Sequence, residues 1–124
     1  MMEQKDRKNE ITEQFLFELD KHLSELQSGE IDVAYEINEF AGLLFINPNH
    51  LSDTVSAVLG KSPCAVYEEK ILDIAKEFII HSEMPINEIA QKLDYDASNF
   101  TKFFKRHTGK TPIQLRKAFR KKIS

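Results

Sequence analysis

The chain has 124 residues, 41% hydrophobic and 30% charged, which is enough for a real core and ordinary for a soluble globular protein. Its longest apolar runs are only a few residues, no apolar stretch backs the polar start Met1–Glu10, and its one cysteine, Cys64, allows no internal disulfide; a membrane span and a disulfide scaffold are excluded, no secretory leader is read, and a cytoplasmic location is expected. The net charge of −3 is unevenly spread: all 20 acidic residues lie at or before Asp96, whereas residues 97–124 carry nine Lys/Arg and no acid, a distribution that points to a polyanion-binding face.

Residues 1–10 are polar and charged and read as a flexible lead-in to a domain over 11–124. Ile11, Phe15, Leu16, Leu19, Leu23 and Leu26 recur at helical spacing, which predicts an amphipathic helix ending near Ser28-Gly29. Phe17 lies off that stripe and is left to meet another part of the core or a partner. A second helix is expected from Val33 to about Leu44, with Ile37, Phe40, Ala41 and Leu44 inward. Asn47-Pro48 supplies a cap and a first-turn proline for a third helix to about Leu59. That helix should bury Leu51, Val55 and Val58 and show Asn49, Ser52, Asp53 and Ser56 outward; His50 is read equally as a phosphate contact or a solvent-facing residue.

Gly60 interrupts the chain, and Ser62-Pro63 opens a long helix over about 63–81 with Tyr67, Ile71, Ile74, Ala75, Phe78 and Ile79 apolar. Its wide apolar band suits a helix touching both halves. Some 18 residues span roughly 27 Å, a spacer for two reading heads that enter the same face of DNA about 34 Å apart. Cys64, at its start, reads either as a redox sensor or as a small residue filling a helix terminus. A fifth short helix holds Ile86, Ile89, Ala90 and Leu93. The turn follows at Leu93–Asp96, and Asp96 caps a sixth helix.

On that sixth helix Phe100, Phe103, Phe104 and His107 fall at i, i+3, i+4 and i+7, and His107 reads as a half-buried packing residue. The other face shows Ser98, Thr101, Lys102 and Lys105, with Arg106 adjacent. Gly109 ends the helix, and Thr111-Pro112 caps a seventh to about Lys121, with Leu115, Phe119 and Ile123 packing inward. A buried aromatic stripe under a basic, hydroxyl-bearing face is what a helix in a DNA groove needs, since cations neutralise phosphates while short polar groups reach base edges. Ser98, Thr101 and Lys102 are assigned to base edges, Asn99 to the rim, and Lys105 and Arg106 to phosphates. Taken alone, this helix is equally a solvated amphipathic C-terminal helix.

A repeat argues for the first alternative. With a shift of 49 residues, Ile37–Pro63 lies on Ile86–Pro112 without a gap and with 8 identities in 27 positions, where chance would give about two. Each copy reads as helix, short polar break, helix, glycine and cap-proline, a helix-turn-helix. Solenoids also repeat at such spacings but need three or more copies. The expectation is therefore an all-α fold of about seven helices, with one motif over about 33–60, a linker helix, and a second motif over about 86–108. No catalytic, cofactor-binding or metal-binding residues are read: His22, His50, His81 and His107 are scattered, without zinc-like spacing, and no glycine-rich phosphate loop or nucleophile motif is found.

The stretch INEIAQKLDYDASNFTKFFKRHTGKTPIQLR, Ile86 to Arg116, resembles the signature of AraC-type transcriptional regulators, and EFAGLLFINPNHLSDTVSAVLGKSP upstream resembles their first helix-turn-helix more loosely. The resemblance spans nearly all of residues 11–119. It implies two helix-turn-helix motifs joined by a long helix, reading two successive major-groove segments of double-stranded DNA, with Asn49, His50, Ser52, Asp53, Ser98, Asn99, Thr101, Lys102, Lys105 and Arg106 as the DNA-binding set. It also implies RNA polymerase, or an effector-binding or dimerising domain outside these residues, as further partners. The chain departs from the pattern at Asp94-Tyr95, where glycine and an aromatic are usual and the turn is about one residue tighter. It departs again at Asp53, where a cation is usual, and at Ser56 and Ala57, where basic residues are usual. These departures predict weaker DNA contact by the first motif. The alternative function is a protein-interaction module that keeps the double motif as scaffold, with little DNA binding of its own.

Overall fold

The structure, a computed structural model, describes the backbone of residues 2–123 and the side chains of residues 7–121. Seven helices and no strand are found among them: α1 Met2–Ser28, α2 Ile37–Leu43, α3 Pro48–Leu59, α4 Pro63–His81, α5 Ile86–Lys92, α6 Ala97–Thr108 and α7 Pro112–Ile123. The chain divides into two compact units, Met1–Glu69 and Lys70–Ser124, each with a core of its own.

In the first unit α1 packs on α2 and α3. Its buried stripe is Ile11, Phe15, Leu19, Leu23 and Leu26, which meets Phe40 and Ala41 of α2, Leu51 and Val55 of α3, and Val66 of α4 in one core. Phe15 and Phe40 cross edge to face at 5.7 Å. The expected flexible lead-in is helical from Met2. Glu, Gln, Lys and Arg favour helix without any apolar period, and Thr12 Oγ1 donates to the Lys8 carbonyl (2.9 Å) while Arg7 pairs with Glu10 (3.8 Å). The second helix starts later than expected, at Ile37. Before it, the Tyr35 N–H donates to His22 Nε2 (3.0 Å), and the two rings stack at 4.1 Å. This contact holds the segment extended against α1, and Val33 is left 63% exposed.

In the second unit Ile71, Ala75 and Ile79 of α4 form a core with Ile89, Ala90, Leu93, Phe100, Phe103 and Phe104. Tyr95 stacks on Phe103 at 5.3 Å. Arg116 of α7 ties down the end of α4: its Nε donates to the Ile79 carbonyl (2.9 Å) and its Nη2 to those of Phe78 (3.3 Å) and Ser82 (3.2 Å); the Phe78 oxygen also accepts from the N–H and hydroxyl of Ser82, and a cation is favourable at a helix C-terminus. Leu115 and Phe119 are half-buried, with Phe119 edge-on to His81 at 5.9 Å. The side chain of Ile123 lies outside the described residues.

The two copies coincide to the residue. A shift of 49 carries the bounds of α2 onto α5, those of α3 onto α6, and the first residue of α4 onto that of α7. The turns coincide as well. Phe45 (φ 57°) and Asp94 (φ 60°) are both left-handed. Ile46 N–H reaches the Ala41 carbonyl (3.1 Å) and Phe45 N–H that of Gly42 (3.1 Å), while Tyr95 N–H reaches Ala90 (2.8 Å) and Asp94 N–H reaches Gln91 (3.0 Å). Each is a Schellman turn. Gly60 (φ 75°) and Gly109 (φ 82°) then close α3 and α6 in the left-handed region, where a Cβ is strained.

Two stability measurements test this packing. Burial lowers the pKa of His22, and Glu25 and Glu39 oppose that shift. The unfolded chain therefore takes up the proton more readily than the native one, and stability is full above the ordinary histidine value of about 6.5 and falls as pH drops through the lower native value. The urea midpoint of the wild type should fall between about pH 7 and 5 and that of His22→Gln should stay nearly level; an equal fall in both would place the titration elsewhere. Arg116→Ala should lower unfolding stability by about 2–3 kcal/mol, as for charge-assisted bonds, and Arg116→Lys should recover less than half, because an ammonium has no fork; a neutral Arg116→Ala would make the contact incidental.

Candidate nucleic-acid interface

Both outward-facing helices start in the same way. In α3 the Asn47 Oδ1 accepts from Asn49 N–H (2.7 Å), with Pro48 in the first turn. In α6 the Asp96 Oδ2 accepts from Ser98 (3.1 Å) and Asn99 (3.2 Å) N–H groups. These caps set the phase of each helix. Burial then takes the same positions in both: Leu51, Thr54 and Val55 in α3, and Phe100, Phe103 and Phe104 in α6. At 100° per residue, the arc opposite that stripe is Asn49, Asp53 and Ser56 in α3, and Ser98, Lys102 and Lys105 in α6.

The structure leaves every residue of the expected set exposed or half-buried. Ser98, Lys102 and Lys105 share the centre of the α6 arc, with Thr101 half-buried on one flank and Arg106 and Asn99 exposed on the other. In α3 Ser52 takes the place of Thr101, Asp53 that of Lys102, and His50, exposed, that of Asn99. Two inward assignments change. Val58 is 37% exposed rather than buried, because the core contacts of α3 end with Val55. His107 is exposed rather than half-buried, with its ring edge-on to Phe103 at 4.8 Å. Thr54, buried at the position equivalent to Phe103, was not singled out by its polarity; the 49-residue shift is the signal that identifies it.

None of Lys102, Lys105, Arg106 and Lys110 forms an ion pair among the described residues, whereas Lys61 in the first copy's corner is held by Glu69 at 2.7 Å. Lys110 stands on an ordered corner. Its N–H donates to Thr108 Oγ1 (3.3 Å), and Thr111 and Gln114 cap α7 reciprocally, the Thr111 N–H to Oε1 at 2.8 Å and the Gln114 N–H to Oγ1 at 3.1 Å. The arc of α6 can therefore offer cations to phosphates with no internal pair to break, and small hydroxyls to base edges. Among the described residues no cluster of His, Cys, Asp or Glu could hold a metal, and no helix is long and apolar enough to cross a membrane.

Two helix-turn-helix motifs on one chain, each presenting a capped outward helix, define a class of nucleic-acid-binding domain. A family model described as a helix-turn-helix domain matches residues 40–118, and the chain belongs to this AraC-type helix-turn-helix family, one of DNA-binding transcriptional regulator domains rather than of enzymes. It is 31% identical over 88 residues to the uncharacterized HTH-type transcriptional regulator YtdP of Bacillus subtilis; the match takes in 70% of this chain and 11% of that protein, so the chain spans a small part of the relative's length. In structure it is similar to the C-terminal domain of AraT, a response regulator from Geobacillus stearothermophilus, with a TM-score of 0.76 and 27% identity over 87% of this chain and 84% of that one. The DNA-binding domain of AdpA, a global transcriptional factor solved in complex with a target DNA, shares the fold at a TM-score of 0.69 and 15% identity, over 82% of this chain and 95% of that one.

Proposed function

We propose that this chain is the sequence-specific DNA-binding part of a transcriptional regulator, and that α6 holds double-stranded DNA while α3 discriminates among sites. The observation that carries the reading is the α6 face, with Lys102, Lys105 and Arg106 free of ion pairs among the described residues, beside Ser98 and Thr101 over a buried phenylalanine stripe. Phosphate attraction supplies most non-specific affinity, and the α3 arc has none to offer. Asp53 is repelled by phosphates, and its attractive base partner is the cytosine amino group, so α3 acts by rejecting wrong sites. The repeats run head to tail in one chain, which favours a non-palindromic site. Contact with RNA polymerase, or with an effector-binding or dimerising domain of a longer polypeptide, and a cytoplasmic place of action belong to the same proposal.

Selection of bound duplexes from random DNA supplies the site for the tests. Lys102→Ala should cost about 1–3 kcal/mol on that site and relax preference at one position. Lys105→Ala or Arg106→Ala should weaken selected and random duplex alike and lower the salt slope by about one. Equal losses for Lys102→Ala on both duplexes would reassign it to phosphate. Asp53→Arg should tighten random-duplex binding and narrow the specific ratio, while Lys102→Glu weakens both; abolition of specific binding by Asp53→Arg, with Lys102→Glu nearly neutral, would make α3 the main reader. No duplex binding even at low salt would leave the scaffold alternative in its place.

A further inference from the structure

One apolar surface of the first unit is left uncovered among the described residues. Phe17, on the side of α1 away from its buried stripe, is 67% exposed, Phe45 in the α2–α3 turn is 95% exposed, and Leu43 is 46% exposed. They line an open groove of about 570 Å³, and Glu10, Glu13 and Glu18 of α1 stand along it.

Phe45 carries the argument. Its φ of 57° is left-handed, a conformation that strains most side chains and suits Gly, Asn or Asp. The second copy has Asp94 at the equivalent place, with φ 60°. The ring does not repay the strain within the fold, because at 95% exposure it buries almost nothing. A side chain that serves neither its backbone nor the core is explained by a contact outside the chain. A second exposed aromatic, Phe17, lies on the same groove, and grouped exposed aromatics are the anchors that protein interfaces use.

Charge selects the occupant. Residues 1–69 hold 14 acidic and five basic residues. Arg7 touches Glu10 at 3.8 Å, while Glu13 and Glu18 make no ion pair with a described residue. Nucleic acid would be repelled, and an apolar segment with acidic flanks would meet like charge. We propose that this groove docks a lysine- or arginine-flanked amphipathic helix of a partner protein, with Phe17 and Phe45 as its anchors and Glu13 and Glu18 selecting its charge. The site is separate from the α6 arc and does not depend on the reading of DNA.

The probe is a fluorescent peptide of ~14 residues, four helical turns, with leucines at i, i+3, i+4 and i+7 and lysines elsewhere; its counterpart carries glutamates for lysines. Anisotropy is read with the full chain at ~0.15 M salt. The lysine peptide should bind with a Kd of about 1–50 μM and the glutamate peptide should not bind. Phe45→Asn leaves the net charge unchanged and suits the left-handed turn, so its thermal midpoint should be no lower than that of the wild type while its peptide affinity falls about tenfold or more. Phe17→Ser should weaken the peptide similarly, and Glu13→Gln with Glu18→Gln should weaken it and flatten its salt dependence. Duplex binding should be unchanged by Phe45→Asn. No binding of the lysine peptide, equal binding of both peptides, or wild-type affinity in Phe45→Asn would overturn the proposal. Concentration-dependent dimerisation in sedimentation, lost in Phe45→Asn, would give the groove to a second copy and overturn the partner assigned.

Discussion

The structure depends on a single backbone device used twice, the Schellman turn that ends α2 and α5. Its left-handed residue and its hydrogen bond back to a buried alanine, Ala41 or Ala90, reverse the chain over three residues and deliver Asn47 or Asp96 where its side chain can cap the next helix. The cap sets where the helix starts, and the start sets its phase. Shifting that start by one residue would turn the following helix by about 100°, enough to carry part of the buried stripe into solvent and part of the outward arc into the core. The alanines belong to the same device: both are fully buried, and a larger side chain there would have to displace the neighbouring helices.

On this repeated backbone the two surfaces have opposite electrostatic character. The pairs Asp53/Lys102, Ser56/Lys105 and Ala57/Arg106 occupy equivalent positions, and in each the cation belongs to α6. The difference extends into the corners that follow. Lys61 is neutralised by Glu69, whereas Lys110 has no ion pair among the described residues and its backbone is held by Thr108. Positive charge is thus concentrated in one motif, although both present an outward helix of the same phase. Arg116 supports that motif from behind by occupying the carbonyls at the end of α4, so α7 fixes the far side of the corner that carries Lys110.

What could be read from the sequence was what short-range chemistry determines. Caps, first-turn prolines and terminal glycines placed α3, α4, α6 and α7 correctly, and the gapless repeat made the boundaries of one copy a check on the other. The exposed arc of α6 followed from its phenylalanines alone. The misreadings arose where the determining contact is distant in sequence or has no period. Residues 2–10 lack an apolar stripe, so their helix was not visible. The late start of α2 reflects a contact between His22 and Tyr35, 13 residues apart. The exposure of Val58 and His107 depends on where the core stops, which hydrophobicity does not report. Phe45 was within reach: the place where Asp94 stands instead of the usual glycine maps onto Phe45 through the same shift of 49, and both are left-handed.

The coincidence of the buried positions in α3 and α6 has a consequence for how such a protein can change. Residues 51, 54 and 55 and residues 100, 103 and 104 carry the packing, so the outward residues of either helix can be replaced without touching the core. If one copy supplies the hold on DNA, as proposed, the other is released from carrying charge, and its outward residues are free to drift. On that proposal a lineage built on this scaffold would move from one target to another through successive single substitutions in α3, each leaving the core, and the cationic face of α6, intact.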